Sequence, residues 1–152
     1  DPRVQRAAVG ATMAALVLEL EILRSAAGRY PTSTGAQDDS HRGIEALYAV
    51  LPEAARQRLG TTGDVDGDGR PELLDPWGTP LFYVSADDYS GSQVGADSAL
   101  EQPRGRPVLE LRAVRDRLGF LAADRFQIRS LGPDRADGQG AGDDVVSWGQ
   151  GD

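Results

Sequence analysis

Cysteine is absent from the 152 residues. That excludes a disulfide framework, a thiolate metal site and a cysteine nucleophile, and is compatible with periplasm and cytosol alike. Lysine is absent too: all sixteen basic residues are arginine, a bias that a GC-rich genome writes more readily than chemistry at so many separate sites. The single histidine, His41, stands in a polar Asp-Asp-Ser-His-Arg run just ahead of a helical pattern, where a solvated or capping role outweighs a catalytic one. No serine elbow, Walker loop or histidine-rich cluster accompanies it. Glu19 and Glu21 fall on different sides of a helix and read as surface charge, so an enzyme is not expected. The formal net charge is -8 and no basic patch is interleaved with aromatics, so the overall field opposes a phosphate backbone and nucleic acid is not an expected partner. The apolar stretch Ala14–Leu18 is far short of the roughly 20 residues that cross a bilayer, and no cleavable signal pattern is visible.

What is present supports one domain, since the length suits a single core and is short for two. From Val4 to Ala27 the apolar positions Val4, Ala8, Ala11, Ala15, Leu18 and Ile22 recur at helical spacing, with Leu16, Leu20 and Leu23 widening the stripe on one side. This predicts an amphipathic helix over 4–28, capped by Gly28 and stopped by Pro31. After a polar loop, Ile44, Leu47, Tyr48 and Leu51 predict a second short helix, and Pro52 opens a further helical turn through Ala54 and Leu59 that Gly60 closes. Strand patterns follow at Leu81–Val84, Val108–Leu111 and Phe126–Ile128. A small antiparallel sheet packed on the first helix fits that order and gives an α+β class. Within 85–124, the part carrying Val114, Leu118 and Phe120 suits a helix or a hairpin arm equally.

Two segments carry chemistry. In Asp-Val-Asp-Gly-Asp-Gly-Arg-Pro-Glu-Leu-Leu-Asp, counted from Asp64, aspartates stand at positions one, three and five (Asp64, Asp66, Asp68), Gly69 is sixth and Asp75 twelfth. That is the ligand register of a calcium loop, with side-chain oxygens at the odd positions, a backbone carbonyl from Arg70 at the seventh and a carboxylate at the twelfth. Two features depart from a true EF-hand: the twelfth residue is Asp instead of Glu, and Pro76-Trp77-Gly78 cannot open an exiting helix. The plainer alternative is a solvent-exposed Asp-Gly turn. The second segment runs from Phe126 to Trp148, where a strand pattern enters a glycine-rich loop with Asp134, Asp137, Asp143 and Asp144. Carboxylates so crowded repel one another, so a fixed loop needs open solvent or a neutralising hard cation.

Four short motifs in order, Gly-Arg-Tyr-Pro-Thr at 28–32, Gly-Ile-Glu-Ala-Leu at 43–47, Leu-Asp-Pro-Trp-Gly-Thr-Pro at 74–80 and the loop after Ser130, together resemble one family. That family is the major pseudopilin of the type II secretion system, within the type IV pilin-like proteins. Thr79 stands where the family more often has Asn, the 85–124 segment is longer than its usual connection, and the Asp64 loop is an addition. The resemblance implies a pilin-like fold over 1–152: a long N-terminal helix on a small antiparallel sheet, a helical and loop region over 40–75, and sheet plus C-terminal calcium loop over 76–148. It implies calcium ligands at the Leu131 carbonyl, Asp134, Asp143 and Asp144. With the Asp64 loop, one or two calcium ions are expected. It also implies that Trp77 packs beneath the loop while Pro76 and Pro80 fix the turn.

The function so implied is structural. After cleavage by prepilin peptidase and methylation, an apolar helical half upstream of Val4 would anchor the subunit in the inner membrane of a Gram-negative bacterium, with this domain in the periplasm. A chain that opens directly in a helical pattern fits a piece whose upstream part was removed. The subunit would polymerise with itself and other pseudopilins, engage the inner-membrane secretion machinery and help export folded proteins, touching the membrane only through the upstream helix. The alternatives are a minor pilin-like subunit and a calcium-dependent interaction or adhesion module. A dockerin-like module is disfavoured because the Asp64 loop has no duplicate.

Overall fold

Helix α1, Pro2–Ala27, organises the chain. It belongs to a computed structural model that describes residues 2–31, 44–60, 62–63, 71–86, 97–100, 109–112, 115–122, 124–132 and 145–147. Its C-terminus is the one the sequence predicts: Gly28 adopts φ +83° and its amide donates to the Arg24 carbonyl at 2.7 Å, a conformation that glycine reaches without a Cβ penalty. Helix α2, Ile44–Val50, and helix α3, Glu53–Arg58, also fall where the apolar spacing and Pro52 put them. Arg56 Nε donates to the Leu51 carbonyl at 3.0 Å and its guanidinium lies 5.7 Å from the Tyr48 ring centre, which ties α3 to the end of α2.

The face that α1 buries is not the one its main period suggests. Val9, Met13, Leu16 and Leu20 enter the core, whereas Val4, Leu18 and Ile22 are exposed by 66, 67 and 59%; Ala8 and Ala11 are exposed with them and Ala15 is half-buried. Opposite stripes of one helix are both apolar, and the pattern of residue types alone cannot rank them. Tertiary contact does, because only the Leu16 and Leu20 side meets the sheet and α2.

Among the described residues the main sheet is antiparallel in the order β3-β8-β9, from Phe82–Ser85, Phe126–Ser130 and Val145–Val146. Earlier in the chain, β1 (Thr62–Gly63) pairs with β2 (Glu72–Leu73), a hairpin that the sequence reading does not anticipate. Within 85–124 the described residues include two antiparallel pairs: β4 (Asp97–Leu100) with β5 (Leu109–Arg112), and β6 (Arg115–Asp116) with β7 (Gly119–Phe120). Leu118, at the tip of the last, is 89% exposed.

The core lies between α1, α2 and one face of β3 and β8. Leu16, Leu20, Leu47, Leu73, Tyr83, Phe126 and Ile128 are its centre, and each buried leucine contributes about 1.5–3 kcal/mol of transfer free energy. Tyr30 meets Phe126 edge to face with ring centres 5.0 Å apart, and Tyr83 Oη donates to the Pro31 carbonyl at 2.6 Å. Such a bond satisfies a phenol that burial would otherwise penalise. The opposite face of β3 and β8 is also buried: Phe82 pairs with Arg129 and Val84 with Gln127, Arg129 stacks at 4.6 Å over Phe82, and Gln127 Nε2 donates to the Leu121 carbonyl at 2.8 Å. The result is an α+β fold with an N-terminal helix and small antiparallel sheets.

Candidate metal centre

Asp75 begins a tight turn whose bonds it supplies itself. Its Oδ1 accepts from the amides of Trp77 and Thr79, both at 3.0 Å; its own amide donates to the Thr79 carbonyl at 2.8 Å, and the Gly78 amide donates to its carbonyl at 3.0 Å. Gly78 sits at φ +83°, which accounts for a glycine in that position. The turn feeds Pro80 into an isolated bridge with Leu74 and then into β3. Trp77 reaches back to α1, its Nε1 donating to Gln5 Oε1 at 3.2 Å, and packs against the edge of the core. The indole therefore anchors the turn to the helix.

The second carboxylate oxygen of Asp75 crosses to the last strand pair. Ser130 Oγ donates to Asp75 Oδ2 at 2.7 Å and accepts from the Gly132 amide at 3.1 Å. Asp75 is only 3% exposed and Ser130 is fully buried, so this carboxylate relies on protein donors in place of water. A carboxylate offers about four lone-pair sites, and at least three are engaged here. Sequence spacing presents Asp75 as a twelfth loop position; its described bonds give it a turn-organising role that spacing did not reveal.

Both candidate calcium loops are held at their ends by antiparallel pairing. Gly63 opposes Glu72, so the segment beginning at Asp64 starts and finishes in one hairpin. Ser130 opposes Val145 and Arg129 opposes Val146, and the Ser147 side chain accepts from the Ile128 amide at 2.9 Å, so the segment after Gly132 is clamped in the same way. Leu131 is buried at 1% and Gly132 turns the chain with φ +76°. The junction of Asp75 with Ser130 brings the end of the first segment beside the start of the second.

Of the residues expected to bind calcium, Leu131 and Asp75 are within the described part. Asp64, Asp66, Asp68, Arg70, Asp134, Asp143 and Asp144 lie outside the described residues, as do Asp137 and His41. Among the described residues no three His, Cys, Asp or Glu side chains converge as a metal site would require. The donor chemistry written in the two loops is carboxylate and carbonyl oxygen, which suits a hard cation such as calcium.

A second polar cluster closes the far end of α1. Glu21 Oε1 accepts from Tyr30 Oη at 2.7 Å and from Arg125 Nη2 at 2.8 Å. The Tyr30 hydroxyl and then the Arg125 guanidinium hold the Glu21 carboxyl below its ordinary value, while burial and the Glu21 bond push the Tyr30 phenol up. Glu19 pairs with Arg58 of α3 at 3.1 Å. Neither glutamate is idle surface charge: one joins α1 to Arg125, the residue before β8, and the other joins α1 to α3. Among the described residues no helix is long and apolar enough to cross a membrane.

No family model matches the sequence, and neither a curated protein nor a solved structure matches the chain.

Proposed function

We propose that this chain is the periplasmic domain of a pseudopilin-like subunit, built to polymerise in a secretion filament and stabilised by calcium in the loop after β8. One observation carries the reading. The Asp-Pro-Trp-Gly turn and the Ser-Leu-Gly start of the C-terminal loop, two motifs noted in sequence as separate marks of one family, are joined by the buried Asp75–Ser130 bond. Motifs that matched by chance would have no reason to meet in space. Support also comes from the order of elements, a helix packed on an antiparallel sheet whose last two strands, β8 and β9, flank the acidic segment in the chain.

In this reading the ion supplies the positive charge that lets Asp134, Asp143 and Asp144 share one loop, with Leu131 contributing a carbonyl. The protein's part is to fix the two loop ends through β8 and β9 and to brace Gly132 on Ser130. The Asp64 segment is a second calcium loop on the neighbouring hairpin. Filament growth, the inner-membrane anchor and the partner pseudopilins belong to the same proposal.

The gene sequence ahead of this chain tests the reading. A short basic leader ending in Gly, followed by an apolar run with Glu at its fifth position, is expected. An ordinary cleavable signal peptide there would overturn it in favour of a secreted calcium-dependent module.

A further inference from the structure

Three arginines surround one pocket at the C-terminal end of α1. Arg24 in the last helical turn, Arg29 just past Gly28 and Arg125 ahead of β8 line a space of about 170 Å³, together with Tyr30, Ser85 and Asp124. Two of the guanidiniums are backed by aromatic rings. Arg24 lies 5.5 Å from the Tyr30 ring centre and Arg125 lies 5.0 Å from that of Phe126, and the two rings meet edge to face at 5.0 Å. Tyr30 and Phe126 are buried in the core, so the rings give the guanidiniums a fixed backing. A stacked guanidinium keeps the N–H groups on its edge for a partner lying in its plane.

Ordinary roles account for two of these arginines and leave the third over. Arg24 complements the partial negative charge at the helix C-terminus, and Arg125 gives Nη2 to Glu21 at 2.8 Å. Arg29 is exposed, and neither it nor Arg24 has a carboxylate within salt-bridge distance among the described residues. Three positive charges face two negative ones, Glu21 and Asp124, so the pocket holds a positive excess in a chain whose net charge is -8.

We propose that this pocket binds a small phosphoryl anion, either free phosphate or the phosphate group of a small ester. The donors come from three separate segments: the end of α1, the turn after it and the residue before β8. A tetrahedral anion presents oxygens in several directions and can meet all three, whereas a carboxylate presents two oxygens in one plane. Arg125 has five N–H donors, of which the bond to Glu21 takes one, so it keeps Glu21 and still contributes. Space is sufficient, since a bound water needs only about 10–15 Å³ and the pocket has about 170 Å³. The site goes beyond the filament and calcium readings and depends on neither, because none of its residues belongs to the acidic loops.

An NMR titration with inorganic phosphate tests this, at constant ionic strength with chloride making up the balance. The amide signals of Gly28, Arg29 and Tyr30 should shift and saturate. Arg24→Gln combined with Arg29→Gln, both at exposed positions, should weaken binding about tenfold or more by removing two charge-assisted partners. Arg3→Gln with Arg6→Gln removes the same charge at the other end of α1, about 27 Å from Arg24 at about 1.5 Å per residue, and should leave the affinity within about twofold. Glycerol phosphate serves as the second probe: tighter binding than inorganic phosphate assigns the site to a phosphate ester, and weaker binding assigns it to the free ion. Acetate binding as tightly as phosphate would overturn the phosphoryl assignment in favour of a carboxylate site. Shifts that never saturate, or equal losses in the two double variants, would overturn the pocket as a specific site.

Discussion

Ser130 donates a buried 2.7 Å hydrogen bond to Asp75, and the two residues are 55 positions apart in the chain. The bond joins a turn that launches β3 to a strand that opens the acidic loop, so the two strands of the central pair share a lock at one end. Asp75 also bonds the Trp77 and Thr79 amides, and its loss strands three donors at once. Asp75→Ala should lower unfolding free energy by about 3 kcal/mol or more, and Ser130→Ala by about 1–2 kcal/mol. Urea unfolding of the two single variants and the double variant checks this, with the double expected to cost less than the sum because the pair shares one bond. Additive losses would mean that the residues act independently.

The two faces of α1 separate in the same assay. Leu16→Ala and Leu20→Ala empty fully buried positions and should each cost about 2–5 kcal/mol. Leu18→Ala, at an exposed position, should fall within about 0.5 kcal/mol of the parent. A large loss at Leu18 in the monomer would contradict the assignment of the core face.

Glu21 gives the fold a defined acid response. Its carboxyl is held below the ordinary value of 4.5, first by Tyr30 and then by Arg125, so the folded state favours the charged form. The stability it contributes is therefore present above pH 4.5 and is lost as pH falls through the lowered value. Glu21→Gln should melt earlier than the parent near neutrality, and the gap should narrow as pH drops below 4.5. Since Glu21 and Arg125 are both substantially exposed, salt should shrink the gap as well. A gap constant across acid pH would remove Glu21 from the account.

Much of the framework was legible in the residues, and what escaped did so for physical reasons. The end of α1 was marked by Gly28 and Pro31, and α2 and α3 by apolar spacing and Pro52, because these signals are local. The strands around Phe82 and Phe126 were marked by aromatic and branched residues between turn formers. The core face of α1 was not, since Val4, Leu18 and Ile22 keep helical spacing as well as Leu16 and Leu20 do, and only contact decides between them. The β1–β2 and β6–β7 hairpins have two-residue arms, too short to show a period. At the candidate site, spacing drew attention to Asp75 as a loop position, while its bond to Ser130 depends on a fold that brings distant segments together. The serine directly before Leu-Gly was the available hint, as hydroxyls often brace the turn that follows them.

Calcium calorimetry on the chelator-stripped domain, repeated with Asp66→Ala and Asp144→Ala, tests the central claim most directly. Two ions per chain are expected, one lost with each variant, and saturating calcium should raise the melting temperature. An ion held only by the folded state contributes about 2.7 kcal/mol at a hundredfold excess over its dissociation constant. No heat of binding, together with a melt unchanged by chelator, would contradict both loops and the stabilising role assigned to calcium.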